Sequence, residues 1–144
     1  MLKPNIILDT NVVLNAFFFQ ESSTVHTVQS LLAQYSWLST PWMQNEALRV
    51  ANSRYLAKYA TLENISYLSE TFNQHATLIA DCLLSNDIAN GLLRCRDIDD
   101  QIFLNLALYA QAKIILTLDR DLLKLKKRGQ SLGILIIEPF NIKY

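Results

Sequence analysis

A chain of 144 residues that is 51% hydrophobic and 18% charged has the size and apolar content of one ordinary domain with a real core. Thirteen basic residues balance thirteen acidic ones. No global field therefore draws the chain onto nucleic acid or an anionic membrane, and any polyanion contact has to come from a local patch.

No apolar stretch approaches the ~20 residues needed to span a bilayer, and Met1 leads into a strand-like run without the apolar core of a signal peptide. A cytoplasmic location with no membrane contact is expected. Cys82 and Cys95 lack the close spacing and His partners of a zinc site or a disulfide framework, and are read as free thiols. No repeat, low-complexity segment or linker interrupts the chain, so a single domain over residues 1–144 is expected.

The first predicted element is an apolar strand, Ile6 to Leu8, that ends on Asp9. A short helix over 11–19 follows, then a second over 22–34 with Val25, Val28, Leu31 and Leu32 on one face. "WLST" (37–40) reads as a strand. Thr40 is placed to cap the next helix, with Pro41 as its first residue and a stripe of Met43, Ala47, Leu48, Val50 and Ala51 running to about Lys58. Residues 61 to about 84 are helical in pattern with a break allowed near His75, and 85–97 reads as a connection. From Asp99 to Gln111, Ile102, Phe103, Leu106, Ala107 and Ala110 again have helical spacing. "KIILTLD" (113–119) and "GILIIEP" (133–139) are near-continuous aliphatic runs.

Apolar strands without alternation, separated by amphipathic helices, are what a parallel sheet covered on both faces requires. The fold class is α/β, a central parallel sheet flanked by helices. Ligands of such sheets bind beyond the carboxyl ends of the strands. Asp9 and Asp119 both end strands and are expected to emerge as neighbours at that edge. Glu46, in the helix after the second strand, and the cluster of Asp97, Asp99 and Asp100 can reach the same edge. Any one acid in a first helical turn is explained by capping and the helix dipole. Several acids sharing a crevice repel one another unless a cation neutralises them, and a hard divalent ion with carboxylate and water ligands is the natural one. Asn11 adds a neutral polar group beside it.

"ILDTNVVLNA" (7–16), "TPWMQNEALRVANSRYL" (40–56), "RDIDDQIFLNLALYAQAKIILTLDRDLLKL" (96–125) and "GILIIEPFNI" (133–142) together resemble the PIN-domain family, in the VapC-like branch of toxin components of bacterial toxin-antitoxin pairs. The likeness runs in order over nearly the whole chain, apart from about 61–92. It implies a PIN-like three-layer fold and a single-strand-directed endoribonuclease that depends on Mg2+ or Mn2+, with RNA as substrate and a cognate antitoxin as partner. Position by position, Asp9 matches the acid after the first strand and Asn11 the polar residue two beyond it. Glu46 matches the acid of the third helix, Asp100 the acid that opens the later helix, and Asp119 the acid after "ILTL". Thr117 is the usual companion of that last acid, and Asp99 and Asp121 stand beside the set. Ile98 and Leu118 depart from the pattern, standing where proline and where glycine or a polar residue are frequent.

The chemistry is consistent with those roles. Phosphodiester cleavage needs an activated water, neutralised charge and a supported leaving oxygen, all within the reach of carboxylate-held divalent metal. No histidine base is required, and His26 and His75 lie in helical stretches away from every motif. Basic residues adjoin each acid: Arg49, Arg54 and Lys58 follow Glu46, Arg94 and Arg96 precede Asp100, and Lys124, Lys126, Lys127 and Arg128 follow Asp119. Phosphate contact by these residues competes with a plain solvated face. Trp37, Trp42 and Phe17 to Phe19 could stack on bases, against core or dimer packing, and the three phenylalanines are also expected as an exposed docking surface for a partner or a homodimer seam.

Within "RDIDDQIF", Asp99 is expected to cap the helix, Asp100 to face the metal, and Asp97 to be solvated or paired with arginine. A haloacid dehalogenase-type phosphatase would need aspartate where Asn11 stands. A receiver-type phosphoacceptor would need an acid pair at the first strand and a lysine after the last. The remaining alternative is a catalytically silent PIN-type module that binds RNA or protein, which has no need of four acids.

Overall fold

The computed structural model describes residues 2–142, apart from the side chains at 87, 89 and 90. Five strands, β1 (Asn5–Leu8), β2 (Ser36–Ser39), β3 (Ala76–Leu78), β4 (Ile114–Leu116) and β5 (Leu135–Ile137), form one sheet in the order β3-β2-β1-β4-β5. Every pairing is parallel. From β1 the chain steps outward to β2 and β3, then crosses back to lay β4 on the other side of β1, with Ile6, Ile7 and Leu8 opposite Ile114, Ile115 and Leu116. The strand order therefore reverses between β1 and β4, and the crevice for ligands opens at their carboxyl ends.

The central strands β1, β2 and β4 are buried on both faces, and the pleat sorts the sheet's inward side chains between two cores. Ile6, Leu8, Trp37, Ile114, Leu116 and Ile137 face a layer built from α1 (Thr10–Phe17), α2 (Ser22–Leu32), α3 (Pro41–Ala51) and α4 (Leu62–His75). Ile7, Leu38, Ile115 and Ile136 face the other layer, dominated by Phe103, Leu104, Leu106 and Ala107 of α6 (Gln101–Ala110). This is the expected α/β sandwich of helices on a parallel sheet. Among the described residues no helix is long and apolar enough to cross a membrane.

Several elements differ from the sequence reading. The helix from 61 stops at His75, and the next three residues form β3 by pairing with β2, Ala76 opposite Trp37. The connection after 85 contains α5 (Asn86–Leu92), and the basic segment past Asp119 folds into α7 (Arg120–Leu123) and α8 (Lys126–Ser131). α3 ends at Ala51, followed by a single 3-10 turn at Arg54–Leu56. Thr40 and Pro41 take the expected places, with the Thr40 hydroxyl accepting from the Met43 amide at 3.1 Å.

The docking surface expected on the phenylalanines is corrected. Phe17 and Phe18 are 6% and 3% exposed, and Phe17 stacks on buried Trp37 with 5.6 Å between ring centroids. Only Phe19 reaches the surface, edge-on to Tyr59 at 5.3 Å. Burying two of three consecutive aromatics follows from α1 ending on the core-facing side of the sheet.

Candidate active site

Asp9 leaves β1 where the strand passes into α1, and its backbone amide still donates across the sheet to the Leu116 carbonyl at 3.0 Å. Its side chain caps α1: Oδ1 accepts from the Val12 amide at 2.9 Å. Oδ2 accepts from the Leu118 amide at 3.2 Å and from the Thr117 hydroxyl. Three of the roughly four acceptor sites of the carboxylate are thus taken. Burial pushes the Asp9 carboxyl above its ordinary range; the hydrogen bonds from Thr117, Val12 and Leu118 oppose this, and the charge of Asp119 adds to it.

Asp119 is built in the same way at the end of β4. Its Oδ1 caps α7, accepting from the amides of Asp121 at 2.7 Å and Leu122 at 3.3 Å. Its own amide donates to the Thr117 hydroxyl at 2.9 Å. Adjacent parallel strands that both end in a capping aspartate bring the two carboxylates to one edge, where the charge of Asp119 acts on Asp9.

Asp100 comes from outside the sheet, on a 3-10 turn (Ile98–Asp100) that leads into α6. Its amide donates to the Asp97 carbonyl at 3.1 Å, and its side chain caps nothing. Burial, then the charge of Asp119 and a hydrogen bond with it, then Asp97 and Asp9, push this carboxyl from 3.8 up to about 7. The capping expectation within the aspartate cluster is corrected. Asp97 caps the turn, its Oδ1 accepting from the Asp99 amide at 3.0 Å, while Asp99 is exposed. The cause is that a 3-10 turn precedes the α-helix and moves the capping position two residues upstream.

Glu46 is not drawn into the trio. Arg49, one turn later on α3, grips it in a fork, Nη2 to Oε1 at 2.6 Å and Nε to Oε2 at 3.0 Å. That guanidinium holds the Glu46 carboxyl below the usual carboxylate range against a smaller effect of burial. Arg49 also feels Asp99, which sets this pair beside the acid-bearing turn. Asn11 is exposed on the first turn of α1, Thr117 is wholly buried between the strand ends, and Asp121 is half-buried with Lys124 Nζ 3.9 Å away.

The expected basic residues scatter. Arg54 lies over the Tyr55 ring at 5.3 Å, Lys126 and Lys127 are exposed on α8, and Arg128 donates from Nε to the Leu92 carbonyl at 3.0 Å, joining α8 to α5. Sequence reasoning missed buried Gln101 and Asn105, which carry polar bonds within an otherwise apolar helix. The available signal was two amides one turn apart among aliphatic residues.

Among the described residues no three His, Cys, Asp or Glu side chains converge tightly enough to enclose a metal ion. The donor set still fits a hard divalent cation. Asp100 and Asp119 keep oxygen atoms outside the capping bonds, and burial followed by the charge of Asp119 raises Asp100, a shift that a bound cation opposes. Magnesium needs only one or two such carboxylates besides water and phosphate.

The crystal structure of VapBC2 from Rickettsia felis bound to a DNA fragment from their promoter matches with a TM-score of 0.64 and 16% identity, over 92% of this chain and 97% of that one. At that identity the likeness is one of fold. Comparison with curated protein sequences returned no match. The sequence profile of the PIN domain matches residues 5–121, a span that includes Asp9, Glu46, Asp100 and Asp119. This chain belongs to the PIN domain family.

Proposed function

We propose that the chain is a metal-dependent, single-strand-directed endoribonuclease and the toxin of a toxin-antitoxin pair. The observation that supports this most is the contact of Asp100 with Asp119, with Asp9 near enough for its charge to act on Asp100, from three separate elements at the topological switch point of a parallel sheet. In this reading Asp100 and Asp119 hold Mg2+ or Mn2+, with Asp9 behind them and Glu46 at the outer edge of the site. The ion would supply water activation and neutralise charge on the phosphate. Thr117 keeps Asp9 and Asp119 in register, and Asn11, Asp99 and Asp121 supply polar surroundings. Asp100 must lose its proton to serve, so metal binding and its ionisation are coupled, and affinity for the ion weakens progressively as pH falls below its raised pKa. Arg49, Arg54, Lys124, Lys126 and Lys127 are proposed contacts to the RNA backbone.

The cognate antitoxin is proposed as the partner, in keeping with the VapBC2 complex of similar fold, and a homodimer is proposed beside it. A cytoplasmic location follows from an RNA substrate. A second reading, a catalytically silent PIN-type module for RNA or protein, draws on the closure of Glu46 onto Arg49.

One experiment separates the two. Purified protein is incubated with a mixed pool of single-stranded RNA in Mg2+ or Mn2+, with and without chelator. Cleavage that stops with chelator and with Asp9→Asn, while the variant still melts cooperatively, supports the nuclease. RNA binding without cleavage under every metal condition establishes the silent module instead.

A further inference from the structure

We infer that Arg94 and Arg96 form a phosphate subsite for the RNA strand, with the Trp42 indole as a base-stacking platform on the far side of the acid-bearing turn. The inference rests on the ribonuclease reading above for the identity of the strand. An open cleft of about 610 Å3 is lined by Asn86, Arg94, Cys95, Arg96, Ile98 and Gln101. A second hollow of about 380 Å3 shares Asn86, Ile98 and Gln101 with it and continues to Asp99 and Trp42. The turn that carries Asp100 is thus a wall common to both. Cys95 is close enough to Asp100, Asp119 and Asp121 for their charges to act on its thiol, so the arginine side of the cleft adjoins the acids.

The arginines are held in place by a buried amide. Gln101, 4% exposed, accepts from the Cys95 amide through Oε1 at 2.8 Å and donates through Nε2 to the Leu93 carbonyl at 2.8 Å. Nε2 also donates to Asn105 Oδ1 at 3.1 Å, and Asn105 donates to Asn86 Oδ1 at 2.6 Å. The clamp bonds Leu93 and Cys95 as a neighbouring strand would, and both side chains are buried while Arg94 and Arg96 are exposed. That alternation turns the two guanidiniums to the same, outer side.

Charge complementarity names the ligand. Among the described residues neither arginine makes an ion pair, whereas Arg49 is closed on Glu46 and Lys124 faces Asp121. Two uncommitted planar forks suit phosphate oxygens two at a time. Beyond them Ile98, 84% exposed, and Trp42, 38% exposed, offer apolar faces on which unstacked bases can lie.

Binding of a labelled single-stranded RNA to the whole protein in EDTA, followed by anisotropy, tests the subsite apart from catalysis. Arg94→Gln with Arg96→Gln should weaken binding at least tenfold and lower the slope of log K against log salt by about 1.4, since each phosphate contact on a single strand contributes ~0.7. Lys3→Gln with Lys113→Gln, an equal loss of charge at the amino edge of the sheet, should change binding less than twofold. Arg94→Lys with Arg96→Lys should give an intermediate loss, and circular dichroism checks that each variant is folded. RNA should quench tryptophan emission in the wild type and not in Trp42→Phe, because Trp37 is 2% exposed. Equal weakening by the arginine and lysine pairs, an unchanged salt slope, displacement of the RNA by polyglutamate, or no binding by the wild type would overturn the subsite. If these arms behave as expected but the wild type cleaves nothing in Mg2+ or Mn2+, the nuclease reading falls and the subsite stands. Cleavage with an unchanged KM in the arginine variant sinks the subsite alone.

Discussion

The Thr117 hydroxyl donates to Asp9 Oδ2 and accepts from the Asp119 amide, so one buried threonine joins the carboxyl ends of β1 and β4. Valine has the same shape and neither bond. Thr117→Val should lower stability by ~1–3 kcal/mol, because Asp9 loses a donor and the Asp119 amide an acceptor in a dry site. Urea denaturation measures the loss, and cleavage should fall with it. A variant as stable and as active as the wild type would show that the threonine serves only as filler.

The aspartate cluster gives three separable outcomes. Asp97→Ala should cost ~1 kcal/mol, as loss of a side-chain cap does. Asp99→Ala should leave both stability and cleavage close to wild type, since its side chain is exposed. Asp100→Asn should raise the metal-free melting temperature by removing a crowded carboxylate, and should abolish metal-dependent cleavage. Thermal melts and a cleavage assay on the three variants decide it, and an essential Asp99 with a dispensable Asp100 would reverse the assignment.

Stability should fall as pH rises toward neutrality when metal is absent. Asp100 titrates at its ordinary value of 3.8 in the unfolded chain and at about 7 in the native one, so across that window the native state binds the extra proton. Its stabilising effect is complete below about 4 and is lost as pH passes through about 7. With solvent screening of a partly exposed carboxyl the change is on the order of 1–2 kcal/mol. Burial moves Asp9 in the same direction. Glu21 acts in a lower window: hydrogen bonds from Thr24 and Ser23 hold it at about 2, so its contribution disappears only as pH falls from about 4.5 toward 2. Melting temperatures from pH 4 to 8 should decline in the wild type and decline less in Asp100→Asn. A flat wild-type profile would contradict the burial of Asp100 and its crowding against Asp119.

Magnesium or manganese should reverse that decline. An ion that binds only the native state stabilises it by about 2.7 kcal/mol at a hundredfold excess over its Kd. Melting temperature at pH 7.5 should therefore climb with Mg2+ concentration in the wild type, climb little in Asp100→Asn, and return to baseline with chelator. Equal shifts in both proteins would place the ion elsewhere.

Local pattern was enough for much of this protein. Uninterrupted aliphatic runs at Ile6, Ile114 and Ile136 identify strands buried on two faces, and the Thr40-Pro41 pair marks a helix start, because these signals involve residues adjacent in the chain. They also place Asp9 and Asp119 at strand ends, from which parallel pairing makes them neighbours. Tertiary contact decided the rest. β3 exists because Ala76 to Leu78 meet the free edge of β2, a contact that overrides the helical pattern around them. Phe17 and Phe18 are buried because Trp37 and the sheet lie beneath α1. Gln101 reaches backward to the Leu93 and Cys95 backbone, which has no partner of its own in regular structure. The raised pKa of Asp100 comes from burial and from an acid nineteen positions away, and periodicity along one chain carries no information about distances between segments that only folding brings together.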